Sequence, residues 1–207
     1  MIVVHHLNES RSQRILWLLE ELGLDYEIQP YLRDEKTRLA PPELFAIHPL
    51  GKSPVISDGA KIIHESGAIV DYLVRLSSGK LSPDAASDDY DQYVQWLHYA
   101  EGSAMLPLML KMYTDRLGEA AAPLKPRIDT EIANHLGYVE QALHGVSYLV
   151  GDDFSAADVQ MSFVGEVAGA FGLRGAYPNL DAWVARMHAR PAYQAAIKRG
   201  GPYRMAS

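Results

Sequence analysis

The chain has no cysteine among its 207 residues, which excludes disulfides, thiolate metal sites and any chemistry that uses a thiol of the protein's own. If sulfur chemistry takes place here, the sulfur is brought in. Positive charge is also scarce. The 19 Lys and Arg stand against 26 Asp and Glu, for a net charge of -7, and they are scattered rather than clustered, so nucleic acid is not an expected partner. No apolar run approaches the roughly 20 residues needed to span a bilayer, so a membrane is not expected either. The amino terminus lacks the basic stretch, apolar segment and cleavage site of a secretory leader, and a cytoplasmic location is the expectation. The eight histidines show no pair at helical ligand spacing, so no metal site is expected. What the chain does have is 48% hydrophobic content, enough for one large domain or two small ones, each with its own core.

The first third alternates strand and helix signals. Ile2-Val3-Val4-His5-His6-Leu7 is a β-branched run, followed by Asn8-Glu9-Ser10 and a segment with apolar residues at Ile15, Leu18, Leu19 and Leu22. That spacing predicts a helix from about Ser10 to Leu22, with Arg11, Arg14, Glu20 and Glu21 at polar positions and Gly23 at the stop. Tyr26 to Gln29 alternates as a strand, and Pro41-Pro42 suits the first turn of a second helix. Val55-Ile56 and Lys61 to His64 flank Ser57-Asp58-Gly59 as a hairpin, and Ser66 opens a helix with Ile69, Val70, Leu73 and Leu76 on one face. The order is βαβαββα, a small α/β domain over residues 1–77.

Residues 78–89 read as a linker rich in Ser, Asp and Pro. From 90 to 207 every periodic segment is helical. One long stripe runs from Tyr90 to Met112, which Pro107 should bend or break. A second runs from Ile128 to Leu143. A third helix starts at Ser155, three residues before Asp158, in a capping-box-like pattern that makes Asp158 a folding cap rather than a catalytic acid. A further helix ends before Pro191.

A βαβαββα layer joined to an all-α domain, with a Ser-Pro bond just ahead of the third strand, resembles the cytosolic glutathione transferases. The resemblance spans nearly the whole chain and is carried by "SRSQRILWLLEELGLDYE" at 10–27, "HPLGKSPVI" at 48–56, "ESGAIVDYL" at 65–73 and "GDDFSAADV" at 151–159. It is nearest to the bacterial and fungal members whose first helix starts with a serine. The fold this implies is a thioredoxin-like domain followed by a helical domain.

The resemblance implies a set of contacts for glutathione, a peptide with two carboxylates, an ammonium and a thiol. A cis bond between Ser53 and Pro54 would present the Ser53 backbone as a strand edge for the cysteinyl portion. Ser66, with the first N–H groups of its helix, would hold the γ-glutamyl carboxylate, and Glu65 the neighbouring ammonium. Lys52 would meet the glycyl carboxylate. His48 stands where relatives often have asparagine, and both substrate binding and a capping role are open to it.

Catalysis needs the glutathione thiol as thiolate, and a free thiol titrates near ~8.5. Lowering that by roughly two units takes about 2.7 kcal/mol of preferential anion stabilisation. Ser10 is the candidate to donate its hydroxyl to the sulfur, aided by the helix that starts there. Asn8, Ser12 and backbone N–H groups are the alternates, and Arg11 is a further source of positive potential. The electrophile pocket is expected between the domains, from Tyr99, Met105, Met109 and Tyr113, for which ordinary core packing is the competing account. Glu101 is a candidate to reach a partner subunit's ammonium. The activity implied is conjugation of glutathione to small electrophiles by a homodimer, with peroxide reduction as an open addition. A binding module that has lost the chemistry is the alternative. Maleylacetoacetate isomerase is less favoured, because its relatives carry Ser-Ser-Cys where this chain has Glu9-Ser10-Arg11.

Overall fold

The computed structural model describes residues 1–206. They form two compact units, one of residues 1–82 with 187–206 and one of residues 83–186.

In the first unit β1 (Ile2–Leu7), β2 (Tyr26–Tyr31), β3 (Val55–Asp58) and β4 (Lys61–His64) form one sheet in the order β2-β1-β3-β4. β1 and β2 are parallel, with Ile2 opposite Tyr26 and Leu7 opposite Tyr31, while β3 runs antiparallel to both β1 and β4. Pro30 is tolerated because β2 lies at the sheet edge, where a missing N–H breaks no ladder. α1 (Ser12–Leu22) connects the parallel pair. It closes at Gly23, whose φ of 69° is the left-handed geometry that glycine takes without a steric cost.

The second helical signal, at Pro41-Pro42, resolves into a single five-residue 3-10 turn, Pro42–Ala46. Only Leu44 of that turn is buried, so the segment has no apolar face to sustain a longer helix. α2 (Ser66–Leu76) follows β4 as expected.

α1 is buried almost all round. Ile15, Leu16, Trp17, Leu18 and Leu19 are all fully shielded, and so nearly is Arg14, which the helical spacing had put on a polar face. The reason is α8 (Pro191–Gly200), which packs on α1 from the far end of the chain, while α2 and β1 cover its other sides. Tyr193 meets Trp17 edge-on, and the Arg190 guanidinium clamps the Glu21 carboxylate at 2.6 and 2.9 Å. The last helix thus belongs to the first unit, although it follows the helical run in sequence.

The second unit is helical throughout. α3 (Asp89–Tyr99) passes through a widened π turn at Ala100–Ala104 into α4 (Met105–Thr114). The irregularity expected from Pro107 lies just before it, because a proline ring collides with the carbonyl four residues back, here Ser103 inside the widened turn. α5 (Lys125–Ala142), α6 (Ala156–Ala170) and α7 (Pro178–His188) complete the helical elements. α6 is the centre of this unit's core, with twelve of its fifteen residues buried. Its start is anchored by Asp158, fully buried, which accepts hydrogen bonds from the Ser155 and Leu149 N–H groups at 3.0 Å and from the Trp183 indole at 2.9 Å.

Candidate active site

The first cluster lies where β1 turns into α1. Ser10 is 3% exposed and precedes the helix, whose regular turns begin at Ser12 rather than at Ser10. Its Oγ accepts from the Ser12 N–H at 3.2 Å and lies 2.8 Å from Ser12 Oγ. Ser12 Oγ in turn lies 2.8 Å from His6 Nδ1 and 3.2 Å from the Leu7 carbonyl. The other ring nitrogen, His6 Nε2, is 3.0 Å from the carbonyl of Gly200 at the end of α8. A methyl group on Gly200 would meet the Gln13 carboxamide and the Leu16 side chain, so α8 approaches α1 closely at this glycine. Burial pushes the His6 pKa down, opposed by its bond to the Gly200 carbonyl.

His5, one residue earlier in the strand, faces the other way. It contacts the Tyr31 hydroxyl at 3.0 Å and Ser57 Oγ at 3.3 Å, and burial lowers its pKa as well. Asn8 is occupied structurally: its side-chain oxygen accepts from the Arg33 N–H at 2.8 Å and its own N–H bonds the Tyr31 carbonyl.

The second cluster lies at the entry to β3. The Ser53–Pro54 bond is cis, and Ser53 Oγ donates to the His5 carbonyl at 3.0 Å. Lys52 is exposed and has no ion-pair or hydrogen-bond partner among the described residues, so its ammonium is available to an anion.

The third cluster is the start of α2. Glu65, its N-cap, has φ 65° and ψ 119°, a conformation that a residue with a Cβ seldom adopts. Ser66 is buried, and the Arg14 guanidinium reaches across from α1 to its Oγ at 2.6 Å. A guanidinium only donates, so Ser66 Oγ is the acceptor in that bond and its own hydrogen is directed elsewhere. Two histidines gather beside this turn: His48 and His64 have ring centroids 4.0 Å apart, and His64 Nδ1 is 3.6 Å from a Glu65 oxygen. His48 also caps its own turn weakly, accepting from the Leu50 N–H at 3.4 Å.

Neighbouring positions in sequence tie the clusters together. β1 offers His6 to the Ser10 cluster and the His5 carbonyl to Ser53, and α1 offers Ser12 to one cluster and Arg14 to another. His6, Arg14 and His64 carry much of this arrangement and were not singled out by sequence. For Arg14 a signal existed in its offset of one helical turn from Ser10. For His6 it lay in the His5-His6 pair within a strand, where one of two adjacent residues must face the helices.

In the second unit the Tyr99 hydroxyl lies 2.6 Å from His135 Nδ1, and burial pushes its pKa up to about 12. It packs edge-on to Trp96 and to Tyr138. Met105 is buried in the core, Met109 is half-buried and Tyr113 is 54% exposed. Glu101 lies in the π turn, half-buried.

A mixed four-stranded sheet with polar groups collected at the starts of α1, β3 and α2, followed in the same chain by an all-helical unit, is the architecture of enzymes that bind glutathione through a thioredoxin-like domain. Comparison with known proteins agrees. Residues 1–75 match the family described as "Glutathione S-transferase, N-terminal domain" and residues 91–191 match "Glutathione S-transferase, C-terminal domain". Glutathione S-transferase 1 of Saccharomyces cerevisiae is 34% identical over 225 residues, covering 96% of this chain and 95% of that protein. Glutathione S-transferase 3 of Schizosaccharomyces pombe is 32% identical over 215 residues, covering 96% and 88%. The crystal structure of a glutathione S-transferase from Actinobacillus pleuropneumoniae superposes with a TM-score of 0.89 at 33% identity, over 99% of this chain and 94% of that one. The chain belongs to the glutathione S-transferase family and is a transferase with glutathione as its co-substrate.

Proposed function

We propose that this transferase ionises bound glutathione at Ser10 and delivers the thiolate to small electrophiles. The observation that carries the reading is the buried Arg14 guanidinium held against Ser66 at the start of α2. Here it adds to the positive helix end and to the first free N–H groups, a combination suited to the γ-glutamyl carboxylate. Glu65 then takes the adjacent ammonium, with His48 and His64 beside it. The Ser53 backbone pairs the cysteinyl portion next to Pro54, and Lys52 takes the glycyl carboxylate.

With the peptide so held, its thiol lies toward the start of α1, where the Ser10 hydroxyl donates to the sulfur. The hydroxyl is neither nucleophile nor base at neutral pH; it stabilises the anion. Tyr99, Met105, Met109 and Tyr113 are the residues proposed to meet the electrophile. A cytoplasmic homodimer is the form proposed for the working enzyme.

The test is the near-ultraviolet thiolate absorbance of bound glutathione as pH is varied. A midpoint well below ~8.5 that rises in Ser10→Ala supports the assignment. A lowered midpoint unmoved by the substitution transfers the role to Ser12 or to backbone N–H groups. Absence of any bound thiolate would leave a glutathione-binding module without transferase chemistry.

A further inference from the structure

Ser10 is the first member of a buried chain of hydrogen bonds, and the chemistry of its far end determines what its near end can do. The Gly200 carbonyl can only accept, so His6 Nε2 carries the hydrogen in the 3.0 Å bond between them. Burial favours the neutral ring, which leaves Nδ1 with a lone pair and no hydrogen. Nδ1 then takes the single hydrogen of Ser12 Oγ across 2.8 Å in preference to the Leu7 carbonyl at 3.2 Å, because the shorter contact would otherwise set two lone pairs against each other. Ser12 Oγ, with its hydrogen spent, can only accept from Ser10 across the other 2.8 Å contact. The direction of every bond follows: Ser10 donates to Ser12, Ser12 to His6, and His6 to Gly200. One Ser10 lone pair is occupied by the Ser12 N–H. With the site empty, Ser10 presents an acceptor rather than a donor to whatever lies outside.

That polarity fits a thiol and is wrong for a thiolate. We propose that Ser10, Ser12 and His6 form a proton relay, in which the proton lost by bound glutathione is taken up at His6 Nδ1 as the hydroxyl bonds reverse. This rests on the assignment of Ser10 as the sulfur's partner. In the transfer the S–H bond breaks and its proton passes to Ser10 Oγ, while the electron pair stays on sulfur. The former Ser10 hydrogen moves to Ser12 Oγ, and the Ser12 hydrogen moves to His6 Nδ1. At the end the thiolate accepts from Ser10, Ser10 from Ser12, and Ser12 from the His6 Nδ1–H. The Nε2–H remains on Gly200, and no polar group is left unsatisfied.

His6 is a positioning residue in this scheme, since it acts on the sulfur only through two hydroxyls. Its surroundings suit the task. The ring's two partners are Ser12 from α1 and the Gly200 carbonyl from α8, and its neighbour across the sheet is Pro30 of β2, which carries no charge. The charged side chains of the elements packed on it are engaged elsewhere or exposed. Arg14 bonds Ser66, Glu20 bonds Arg199 and Tyr26, Glu21 bonds Arg190 and Trp17, and Lys198 is exposed. An imidazolium there would be favoured by the Gly200 carbonyl on one side and by the thiolate at the other end of the relay.

The test is a proton inventory on the native protein at pH 7, with glutathione and S-methylglutathione bound in turn. Proton release is measured by calorimetry in buffers of different ionisation heat, and thiolate by its absorbance. The S-methyl analogue lacks only the acidic thiol, so subtraction cancels protons from His48, His64 and the ammonium. The relay predicts thiolate absorbance with no excess proton release from glutathione over the analogue. An excess of about one proton per thiolate overturns it while leaving Ser10 in place. Absence of thiolate removes both the relay and the Ser10 assignment. The variant His6→Asn keeps an acceptor for Ser12 near Nδ1 but cannot take up a proton. The excess should rise in it to about one proton per thiolate formed, with a higher thiolate midpoint. If His6→Asn matches the native protein in both readouts, the ring is a structural support and the relay is wrong.

Discussion

Buried serines stand at the starts of α1, α2 and α6 of this transferase, and two of them, Ser155 and Ser10, behave differently. Ser155 opens α6 inside a closed set of bonds. Asp158 accepts from its N–H and hydroxyl at 3.0 and 3.1 Å, and from Leu149 and Trp183 besides. Ser10 stands one residue before the cap position, which Arg11 occupies, and its Oγ accepts from the Ser12 N–H at the start of α1. Its bonds run away along Ser12 and His6 to Gly200. A closed ring of partners has nothing left for a ligand and contributes only to folding. A line of hydroxyls and an imidazole can exchange donors for acceptors along its length. The same residue type near a helix start thus closes a folding contact in one unit and, under the proposed function, partners the sulfur in the other.

The contrast breaks most visibly at Asp158. Asp158→Ala should cost about 3–5 kcal/mol of stability, because it orphans several buried donors. Chemical denaturation should show this as a large fall in midpoint, whereas Ser10→Ala should cost no more than about 1 kcal/mol. The order inverts for chemistry: Ser10→Ala should lower kcat/KM by about 10²-fold, the effect of losing one donor to a developing anion. Steady-state rates with a small aryl halide would measure it. Arg14→Lys keeps the charge and loses the planar fork, and should weaken glutathione binding about tenfold by calorimetry.

His5 and His6 extend the comparison to pH. Their pKa values are lowered in the folded chain, so the unfolded chain binds more protons and stability rises with pH. Their contribution is fully present above the ordinary value near 6.5 and is lost progressively as pH falls below it. Thermal unfolding scanned from pH 7.5 down to about 5.5 should show a decline that His6→Asn reduces. The smallest effect belongs to Lys52→Ala, an exposed charge, which should raise KM for glutathione two- to fivefold, or about 0.4–1 kcal/mol, and less so in high salt.

Local signals placed most of the fold. The β-branched run of β1, the period of α1 and the Ser155/Asp158 box all rest on residues close in sequence, where pattern and structure share one cause. The second helix failed as an expectation because Pro41 and Pro49 bracket too short an apolar stretch for a full turn to find a partner. Arg14 looked solvent-facing because its partner Ser66 lies on α2, 52 residues later, beyond any window that reads one helix. His6 was invisible as a functional group for the same reason. One of its ring partners is a carbonyl 194 residues away, and carbonyls leave no mark in a sequence. The serines, Lys52 and the Glu65-Ser66 pair were legible because they sit in short segments with recognisable spacing.

The bond between His6 and Gly200 also sets a timetable for synthesis. A ribosome making this chain releases the sheet strands first and α8 only after the helices of the second unit, so the first unit stays open until α8 has been made. Contacts of such separation are slow to form by search alone. Until α8 arrives, α1 has an uncovered apolar side and His6 lacks its carbonyl. The cluster at the start of α1 is therefore completed by a helix made after the whole second unit.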